Sequence, residues 1–312
     1  MQADLAIVGF GNVGRRFAEL IEERRELLER DYDLTCRITG TATRRRGNAI
    51  ETIDQLSRSS APLRVMIETT TLDITAGEPA IDHVKRALAN GCHVVTANKG
   101  PAAFAYHQLN ALAEERQLSF LFEGAVMDGI PIFNLVRETM PAVRVERFTG
   151  VVNSTTNEIL TALESGEAFG PALARMQAAG IAEADPSLDI DGWDAAAKTA
   201  ALANVFFAAR ITPHDVDREG ISADTADRAR AAMQAGRRLR LVVSGGRGER
   251  AKVALTELPH DTLLAGLRGT ANALILETDT LGRVAVSQLD GGLTHTAYAL
   301  LSDLITIRRR AH

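Results

Sequence analysis

The sequence predicts an α/β protein in which a doubly wound parallel sheet is followed by an α+β domain. The chain opens with an apolar run and a glycine-rich turn, and strand-like and helix-like runs then alternate as far as residue 123. Further strand-like runs gather after residue 239. Alternating strands and helices form parallel sheets, whereas strands gathered after helices form mixed or antiparallel ones. At 312 residues the chain is long enough for two domains.

Composition excludes several classes of protein. The net charge is −5, from 35 Lys and Arg against 40 Asp and Glu. Binding to nucleic acid needs clustered basic residues, so we expect no nucleic-acid partner. No apolar run reaches the ~20 residues of a membrane span, so we expect no membrane partner. Cys36 and Cys92 lie in apolar runs, as reduced core residues do, and we expect a cytoplasmic protein.

The glycine-rich turn has the context of a dinucleotide-binding motif. It follows the predicted strand Ala3–Val8 and begins a helix predicted from Val13 to Arg30. In that context its glycines permit a tight turn, close approach of the backbone to a pyrophosphate, and close packing of helix on strand. The alternative is a glycine-rich turn without a ligand. We predict a Rossmann-type domain whose cofactor-binding turn comprises Gly9, Phe10, Gly11, Asn12, Val13 and Gly14.

The end of the second predicted strand bears on the choice of cofactor. Many NAD-binding proteins place an acid there to hold the ribose 2′-hydroxyl, but this strand ends in Thr43-Arg44-Arg45-Arg46. Arginines suit a 2′-phosphate, so Arg44 favours NADP(H), with NAD(H) as the second choice. The alternative is a solvated basic turn. The strands predicted here are Leu34–Ala42, Arg64–Glu68, His93–Thr96 and Ser119–Glu123, with helices at Pro79–Asn90 and Ala102–Arg116.

Two later loops should face the nicotinamide half of the cofactor, because ligands bind at the carboxyl ends of strands in open α/β sheets. They contain Thr70 and Lys99. Thr70 would contact the cofactor. Lys99 would neutralise a phosphate or touch the substrate; the alternative is a residue that simply begins a helix.

The stretch from Glu183 to Lys198 carries the strongest chemical signal. Five carboxylates precede a helix that, from Ala195 to Ala209, has Lys198 as its single charged residue. So apolar a helix should be largely buried, and a buried Lys is costly unless it is paired. Asp194 lies four residues earlier, on the same face. The pair is therefore either a simple ion pair at a helix start, with Asp191 as N-cap, or an acid/base Lys in a pocket for a cationic substrate group.

Five motifs in order resemble those of homoserine dehydrogenases, over nearly the whole chain. The most specific is an Asp-Pro followed by an acid-rich turn, Gly-x-Asp and a Lys four residues later. Two positions depart from the family pattern: Ser154 replaces a usual Gly, and the segment Gln288–Leu293 keeps only two glycines. The motifs are Gly9–Gly14, Thr96–Lys99, Glu123–Pro131, Gly150–Asn157 and Glu183–Lys198.

The resemblance implies NAD(P)-dependent interconversion of L-aspartate 4-semialdehyde and L-homoserine, in the route to threonine and methionine. Lys198 would donate a proton to the carbonyl, with Asp194 beside it. Glu183 and Asp189 would bind the substrate, and Gly292 would contact the cofactor. Competing interpretations are a dehydrogenase of another amino-acid aldehyde and an NADPH-sensing protein without turnover.

The resemblance also implies a monovalent cation, Na⁺ or K⁺, and a homodimer. Glu123 would bind the cation through its carboxylate, and Val126, Asp128 and Ile130 through backbone carbonyls. These oxygens suit a hard cation. For Glu123 the alternative is a carboxylate satisfied by loop amides.

The predicted domains are residues 1–129 for the cofactor, 130–286 for the substrate and dimerisation, and 287–312, which returns to the first domain. No amino-acid-sensing regulatory domain is expected. The elements predicted after residue 130 are helices Pro131–Met140, Thr155–Glu164, Gly170–Gly180 and Thr294–Arg308, and strands Val143–Asn153, Leu239–Ser244, Ala251–Leu258, Ala273–Thr278 and Gly282–Val286.

Overall fold

The structure is a computed structural model that describes residues 1–178 and 185–311. The chain forms two compact units, one from Met1–Thr139 and Gly292–His312 and the other from Met140–Gly291. The sequence places the boundaries at 129/130 and 286/287, and the binding roles assigned to those segments stay predictions. Among the described residues, no helix is long and apolar enough to cross a membrane.

The first unit alternates strands and helices along the chain. The elements up to residue 121 are β1 (Gln2–Val8), α1 (Asn12–Glu23), α2 (Arg25–Tyr32), β2 (Thr35–Ala42), α3 (Ala49–Ser57), β3 (Leu63–Glu68), α4 (Ala80–Ala89), β4 (His93–Thr96), α5 (Gly100–Glu115) and β5 (Phe120–Leu121). A 3-10 turn at Glu123–Ala125 and a π-helix at Leu135–Thr139 follow.

The second unit begins with a strand and continues with helices before its remaining strands. Its elements are β6 (Val145–Val151), α6 (Ser154–Glu164), α7 (Phe169–Ala178), α8 (Ser187–Ile190), α9 (Trp193–Phe207), a 3-10 turn (Pro213–Asp215), β7 (Asp217–Arg218), α10 (Thr225–Gln234), β8 (Arg237–Gly246), β9 (Lys252–Pro259), α11 (Leu263–Gly266), β10 (Asn272–Thr278) and β11 (Gly282–Gln288). The last helix, α12 (Leu293–Arg310), belongs to the first unit.

The first sheet is parallel throughout, in the order β2-β1-β3-β4-β5. The chain moves from β1 to one neighbour, β2, and then crosses to the other, β3, so the strand order reverses at β1 and β3. In such sheets this switch point is where ligands bind. A hydrophobic core of β1, α1 and α12 residues, including Leu5, Phe17 and Leu304, lies beneath it. The predicted doubly wound fold is confirmed.

The second sheet is mixed, in the order β11-β10-β6-β8-β9-β7. Its pairs are antiparallel except for β7 with β9. The α+β prediction is therefore confirmed as well.

Some elements differ from their predictions. The helix predicted over Val13–Arg30 is two helices that meet at Arg24. α3 and α10 were not predicted, although Asn48 caps α3 by accepting from two of its amides. The predicted strand Ser119–Glu123 shortens to β5, because Glu123 already belongs to a 3-10 turn. Gly180, the predicted end of a helix, lies outside the described residues.

Candidate active site

The turn after β1 is shaped by close backbone contacts. Gly9 has a φ of +97°, and a Cβ there would lie 2.4 Å from the carbonyl carbon of Thr69, so only glycine fits. The amides of Gly9 and Phe10 both donate to the carbonyl oxygen of Ala42, at 2.8 and 2.9 Å. A Cβ on Gly14 would lie 3.0 Å from Thr69 Oγ1. The turn thus joins the carboxyl ends of β1, β2 and β3.

A cavity of about 370 Å³ opens beside this turn. Four of the predicted cofactor-binding residues line it: Gly9, Gly11, Arg44 and Thr70. Gly11 is exposed, and a Cβ there would meet nothing closer than a carbonyl oxygen at 3.7 Å, so the space beside it is open to a ligand. Phe10, Asn12 and Val13 complete the turn and begin α1.

His83 on α4 also lines this cavity and was missed by the sequence analysis. Burial lowers the pKa of its imidazole, so the ring is neutral at physiological pH. Within the described part of the chain, its Nδ1 atom is buried without a hydrogen-bond partner. Its position on the apolar face of the predicted helix α4 was the sequence signal that could have indicated a buried histidine near the cofactor cavity.

A buried carboxylate holds Thr70 in place. Glu68, with 0% exposure, accepts from the Thr70 amide at 2.8 Å and from the Thr70 hydroxyl, while Thr96 Oγ1 donates to its other oxygen at 2.7 Å. Burial raises the pKa of Glu68. The loops after β3 and β4 are therefore tied together by one side chain. Lys99 lies at the start of α5 and, among the described residues, is not one that lines the cavity.

Glu123, the predicted cation ligand, is buried and bound by backbone amides. Its Oε1 accepts from the amides of Ile132 and Phe133 at 2.5 and 2.9 Å, and its Oε2 from Asn134 at 2.6 Å. This is the arrangement of the alternative interpretation, a carboxylate satisfied by loop amides. These amides lie at the start of the short helical segment that is found where the helix Pro131–Met140 was predicted.

Asp303 on α12 is a second buried carboxylate beside Glu123, and the sequence analysis missed it. It accepts from the Glu123 amide at 2.9 Å and from Asn134 Nδ2 at 2.9 Å. Burial raises the pKa of both carboxyl groups, and the charge of Asp303 raises that of Glu123 further. A cation bound nearby would offset this repulsion, although three backbone amides already bind the Glu123 carboxylate. Among the described residues, no group of three His, Cys, Asp or Glu forms a metal site.

Asp128 and Gly292, predicted for different roles, lie together. The Asp128 carboxylate accepts from Thr296 Oγ1 at 3.1 Å and from the Gly292 amide at 3.4 Å. Gly292 is exposed and precedes α12. Of the other predicted cation ligands, Val126 is buried and the amide of Ile130 donates to the carbonyl oxygen of Met127 at 3.0 Å.

In the second unit, α9 presents Lys198 from an otherwise apolar helix. Its residues from Ala195 to Asn204 are buried except Lys198, whose side chain is 14% exposed. Lys198 Nζ lies 2.9 Å from Asp194 Oδ2 and donates to the carbonyl oxygen of Val152 at 2.6 Å. The ion pair expected from the i,i+4 spacing is therefore present. An ammonium has three N–H donors, and among the described residues these two acceptors account for two of them.

Asn153 bridges the two carboxylates of this site. Its Nδ2 donates to Asp189 Oδ1 at 2.7 Å and to Asp194 Oδ2 at 2.9 Å. Its Oδ1 accepts from the Thr156 amide at 2.8 Å, which fixes the side-chain orientation and caps α6. Burial and the charge of Asp194 raise the pKa of Asp189. Sequence analysis placed Asn153 in a motif but gave it no role.

Three further expectations concern this region. Asp191 is not the N-cap of α9, because Gly192, with a φ of +77°, occupies that position. The Ser154 hydroxyl turns toward another segment, where it donates to the Thr270 carbonyl oxygen at 3.0 Å and accepts from Asn272 at 2.8 Å. Glu183 lies outside the described residues.

Comparison with known proteins finds relatives that match this chain over nearly its whole length. Residues 9–123 match the model of the homoserine dehydrogenase NAD-binding domain, and residues 131–305 match that of homoserine dehydrogenase itself. An NAD(+)-dependent homoserine dehydrogenase of Pseudomonas canavaninivorans is 33% identical, over 98% of this chain and 96% of the relative. A homoserine dehydrogenase of Sulfurisphaera tokodaii is 32% identical, over 98% of both chains.

Solved structures give the same result. A homoserine dehydrogenase from Thiobacillus denitrificans superimposes with a TM-score of 0.89 at 30% identity, over 99% of this chain and 74% of that one. A hyperthermophilic archaeal homoserine dehydrogenase in complex with NADPH gives a TM-score of 0.81 at 27% identity, over 99% and 98% of the two chains. The chain belongs to the homoserine dehydrogenase family and is an oxidoreductase with that family's NAD-binding domain.

Proposed function

We propose that this enzyme interconverts L-aspartate 4-semialdehyde and L-homoserine, with Lys198 as the proton donor to the aldehyde oxygen. The observation that carries the proposal is the ammonium of Lys198, held by Asp194 and the Val152 carbonyl oxygen in an apolar helix. Two acceptors among the described residues fix its position, and we assign its third N–H to the oxygen on which negative charge develops.

Bound NAD(P)H supplies the hydride that reduces the aldehyde carbon. Lys198 polarises the aldehyde oxygen through a hydrogen bond and transfers its proton as the alkoxide forms. Asp194 and the Val152 carbonyl oxygen hold the Nζ atom in place while the proton is transferred. In the reverse direction, the neutral amine accepts the proton from the homoserine hydroxyl.

The acids around Lys198 suit an amino-acid substrate. We assign Asp189 to the substrate's polar groups, because its carboxylate is held at the site by Asn153 and lies near Asp194. Glu183 is assigned to the substrate ammonium from the resemblance. Lys99 is assigned to the substrate carboxylate or a cofactor phosphate, and Gly292 to the cofactor.

We propose a preference for NADP(H) over NAD(H). Arg44 lines the cavity beside the glycine turn, and among the described residues no Asp or Glu does. One relative is named for NAD(+) and one solved relative holds NADPH, so this choice varies within the family. We also propose that Glu123, Val126, Asp128 and Ile130 hold a monovalent cation.

A homodimer is proposed as the working form, in the cytoplasm and in the route to threonine and methionine. Its support in this structure is β11, which lies at one end of the second sheet with exposed residues alternating along it. Such an edge is suited to pairing with a second copy. Sedimentation or size-exclusion measurements would give the number of chains.

The deciding experiment measures homoserine oxidation with NADP⁺ and with NAD⁺ by absorbance, together with the Lys198→Ala variant. General acid–base groups contribute about 10²- to 10⁴-fold, so we expect turnover to fall by about a thousandfold with cofactor affinity unchanged. Lys252→Ala, an exposed lysine in the same unit, is the matched control. Near-normal turnover of K198A would remove Lys198 from its role. Wild-type protein that binds NADPH without turnover would point to a sensor instead.

A further inference from the structure

The backbone between the two site carboxylates forms a short turn, defined here as the substrate turn, Asp189–Asp194. α8 ends at Ile190, Gly192 adopts a left-handed conformation, and α9 begins at Trp193. Asp189 and Asp194 therefore sit at opposite ends of this turn, and their separation depends on its conformation. Asn153 binds both carboxylates but does not hold the backbone between them.

That backbone is supported by the segment around β7. The amide of Ile221 donates to the carbonyl oxygen of Ile190 at 2.8 Å. A Cβ on Gly192 would lie 2.8 Å from the Glu219 carbonyl oxygen, and one on Gly220 would lie 2.7 Å from the Ile190 carbonyl oxygen. The substrate turn and the β7 segment thus fit together through two glycines that admit no side chain.

Arg218 on β7 adds side-chain contacts to this support. Its Nη1 donates to the carbonyl oxygen of Asp191, and its guanidinium carbon lies 3.7 Å from the centroid of the Trp193 ring. His214 packs edge-on against the same ring, with centroids 5.2 Å apart. A planar guanidinium can stack on an aromatic face and donate in its own plane at once, which an ammonium cannot do.

We propose that Arg218 is a positioning residue for the substrate: it holds the substrate turn so that Asp189 and Asp194 keep the separation that homoserine requires. This rests on the proposed function of the turn. Arg218 acts through Asp191 and Trp193 rather than by touching the reacting atoms. Lys198 lies a full helical turn further along α9 and, besides its ion pair with Asp194, donates to the Val152 carbonyl oxygen, which lies outside the substrate turn. Substrate binding should therefore suffer more than the chemical step.

The chain carries a direct probe of this contact, because Trp193 is its single tryptophan. Intrinsic tryptophan emission therefore reports on the substrate turn alone. Homoserine titrated into the wild-type enzyme without cofactor should change this emission. The homoserine concentration at which half of the emission change has occurred gives the substrate affinity independently of turnover.

The test compares Arg218→Ala and Arg218→Lys with Arg247→Ala. Arg247 is a matched control in the same unit: it is exposed, lies 5.9 Å from the Phe207 centroid and donates to the carbonyl oxygens of Val145 and Phe206. One charged hydrogen bond and one cation–π contact suggest that R218A raises the KM for homoserine about tenfold. We expect R218K to fall between R218A and wild type, and R247A to match wild type. The KM for NADP⁺ should be unchanged in all three variants.

The homoserine concentration that gives half of the change in Trp193 emission should rise in the same order of variants as the KM for homoserine. A wild-type KM for homoserine in R218A, or in a folded R218K if R218A does not fold, would overturn the proposal. So would equal losses in R218A and R247A, since those would reflect general stability. Wild-type enzyme without homoserine turnover would instead overturn the proposed function, and this is measured before any variant.

Discussion

The glycine turn of the first unit and the substrate turn of the second differ in whether backbone atoms or side chains make the contacts that shape the site. At the glycine turn the contacts are between backbone atoms, and the essential property of Gly9 is the side chain it lacks. At the substrate turn backbone contacts also occur, but the two site carboxylates are joined by a side chain, because Asn153 reaches carboxylates 36 and 41 residues away. The glycine motif is therefore visible as a run of adjacent residues, although its partners Ala42 and Thr69 are distant, whereas no local run of residues marks the bridge made by Asn153.

The largest effect should come from a side chain placed where the glycine turn excludes one. In Gly9→Ala the new Cβ would meet the Thr69 backbone at 2.4 Å on a residue with positive φ. We expect a loss of about 3 kcal/mol in unfolding free energy and cofactor affinity weakened at least about a hundredfold. Calorimetry and cofactor titration measure the two.

Gly11→Ala is the matched control, because the protein offers no close contact to its Cβ. It should keep the wild-type melting temperature while losing cofactor affinity, since only the ligand occupies that space. Equal destabilisation by G9A and G11A would show that the two positions do not differ in the room they leave for a side chain.

A second prediction tests the side-chain site. Asn153→Ser keeps a cap oxygen for α6 but removes the amide that bridges Asp189 and Asp194. Hydrogen bonds to charged groups contribute about 1.5–3 kcal/mol, so kcat/KM for homoserine should fall about ten- to a hundredfold with little change in melting temperature. Ser154→Gly, the adjacent residue, should leave kcat/KM unchanged because its hydroxyl bonds to the 270–272 segment. Loss of activity only in step with stability would contradict the bridging role.

Arg44 allows a smaller test of the first unit. One exposed ion pair with a phosphate contributes about 1 kcal/mol, so Arg44→Ala should raise the KM for NADP⁺ about fivefold and leave that for NAD⁺ unchanged. Arg45→Ala serves as control, since Arg45 does not line the cavity among the described residues. A wild-type preference for NAD⁺, or equal effects of R44A on both cofactors, would refute the assignment.

The smallest expected effect is on the pH dependence of stability and involves the buried carboxyl groups of Glu123 and Asp303. This pair lies in the first unit, which also contains the glycine turn. Burial raises the pKa of both carboxyls above that of the unfolded chain, so the folded protein retains protons that unfolding releases. This stabilisation is complete at acidic pH and is lost as the pH rises beyond the ordinary carboxyl range towards neutrality.

Asp303→Asn should therefore flatten the fall in unfolding free energy between about pH 4 and 7, by about 1 kcal/mol. Asp279→Asn is the control. A hydrogen bond from the Arg144 amide lowers the pKa of Asp279, so this carboxyl group stays ionised in the tested pH range and its removal should not change the slope. Denaturant titrations at several pH values measure the slopes. An unchanged slope in D303N would show that the pair does not titrate in this range.

The fold was largely predictable because its signals are local. Strand patterns, the glycine motif and the apolar α9 are read within windows of a few residues. Two short helices, α3 and α10, were not predicted. The buried residues of α10 are small, whereas α3 buries Ile53 and Leu56, whose helical spacing was a usable signal. A single helix was predicted for α1 and α2, because charged residues continue a helical pattern through Arg24.

The sites were predictable only in part. Asp194 and Lys198 share one helix, so their spacing revealed the pair. Asn153, Asp303 and Arg218 meet their partners through the tertiary fold; Asp303, for example, binds a residue 180 positions away. No local pattern distinguishes such residues from ordinary polar ones.

The first unit is interrupted in sequence, since residues 140–291 separate its opening segment from α12. Ala297, Leu300 and Leu304 of α12 belong to the same hydrophobic core as β1 and α1. During synthesis this core stays incomplete until the last helix leaves the ribosome, by which time the inserted unit has already been translated. Contacts between residues so far apart slow folding. The first unit therefore exposes part of its apolar core until α12 has been synthesised.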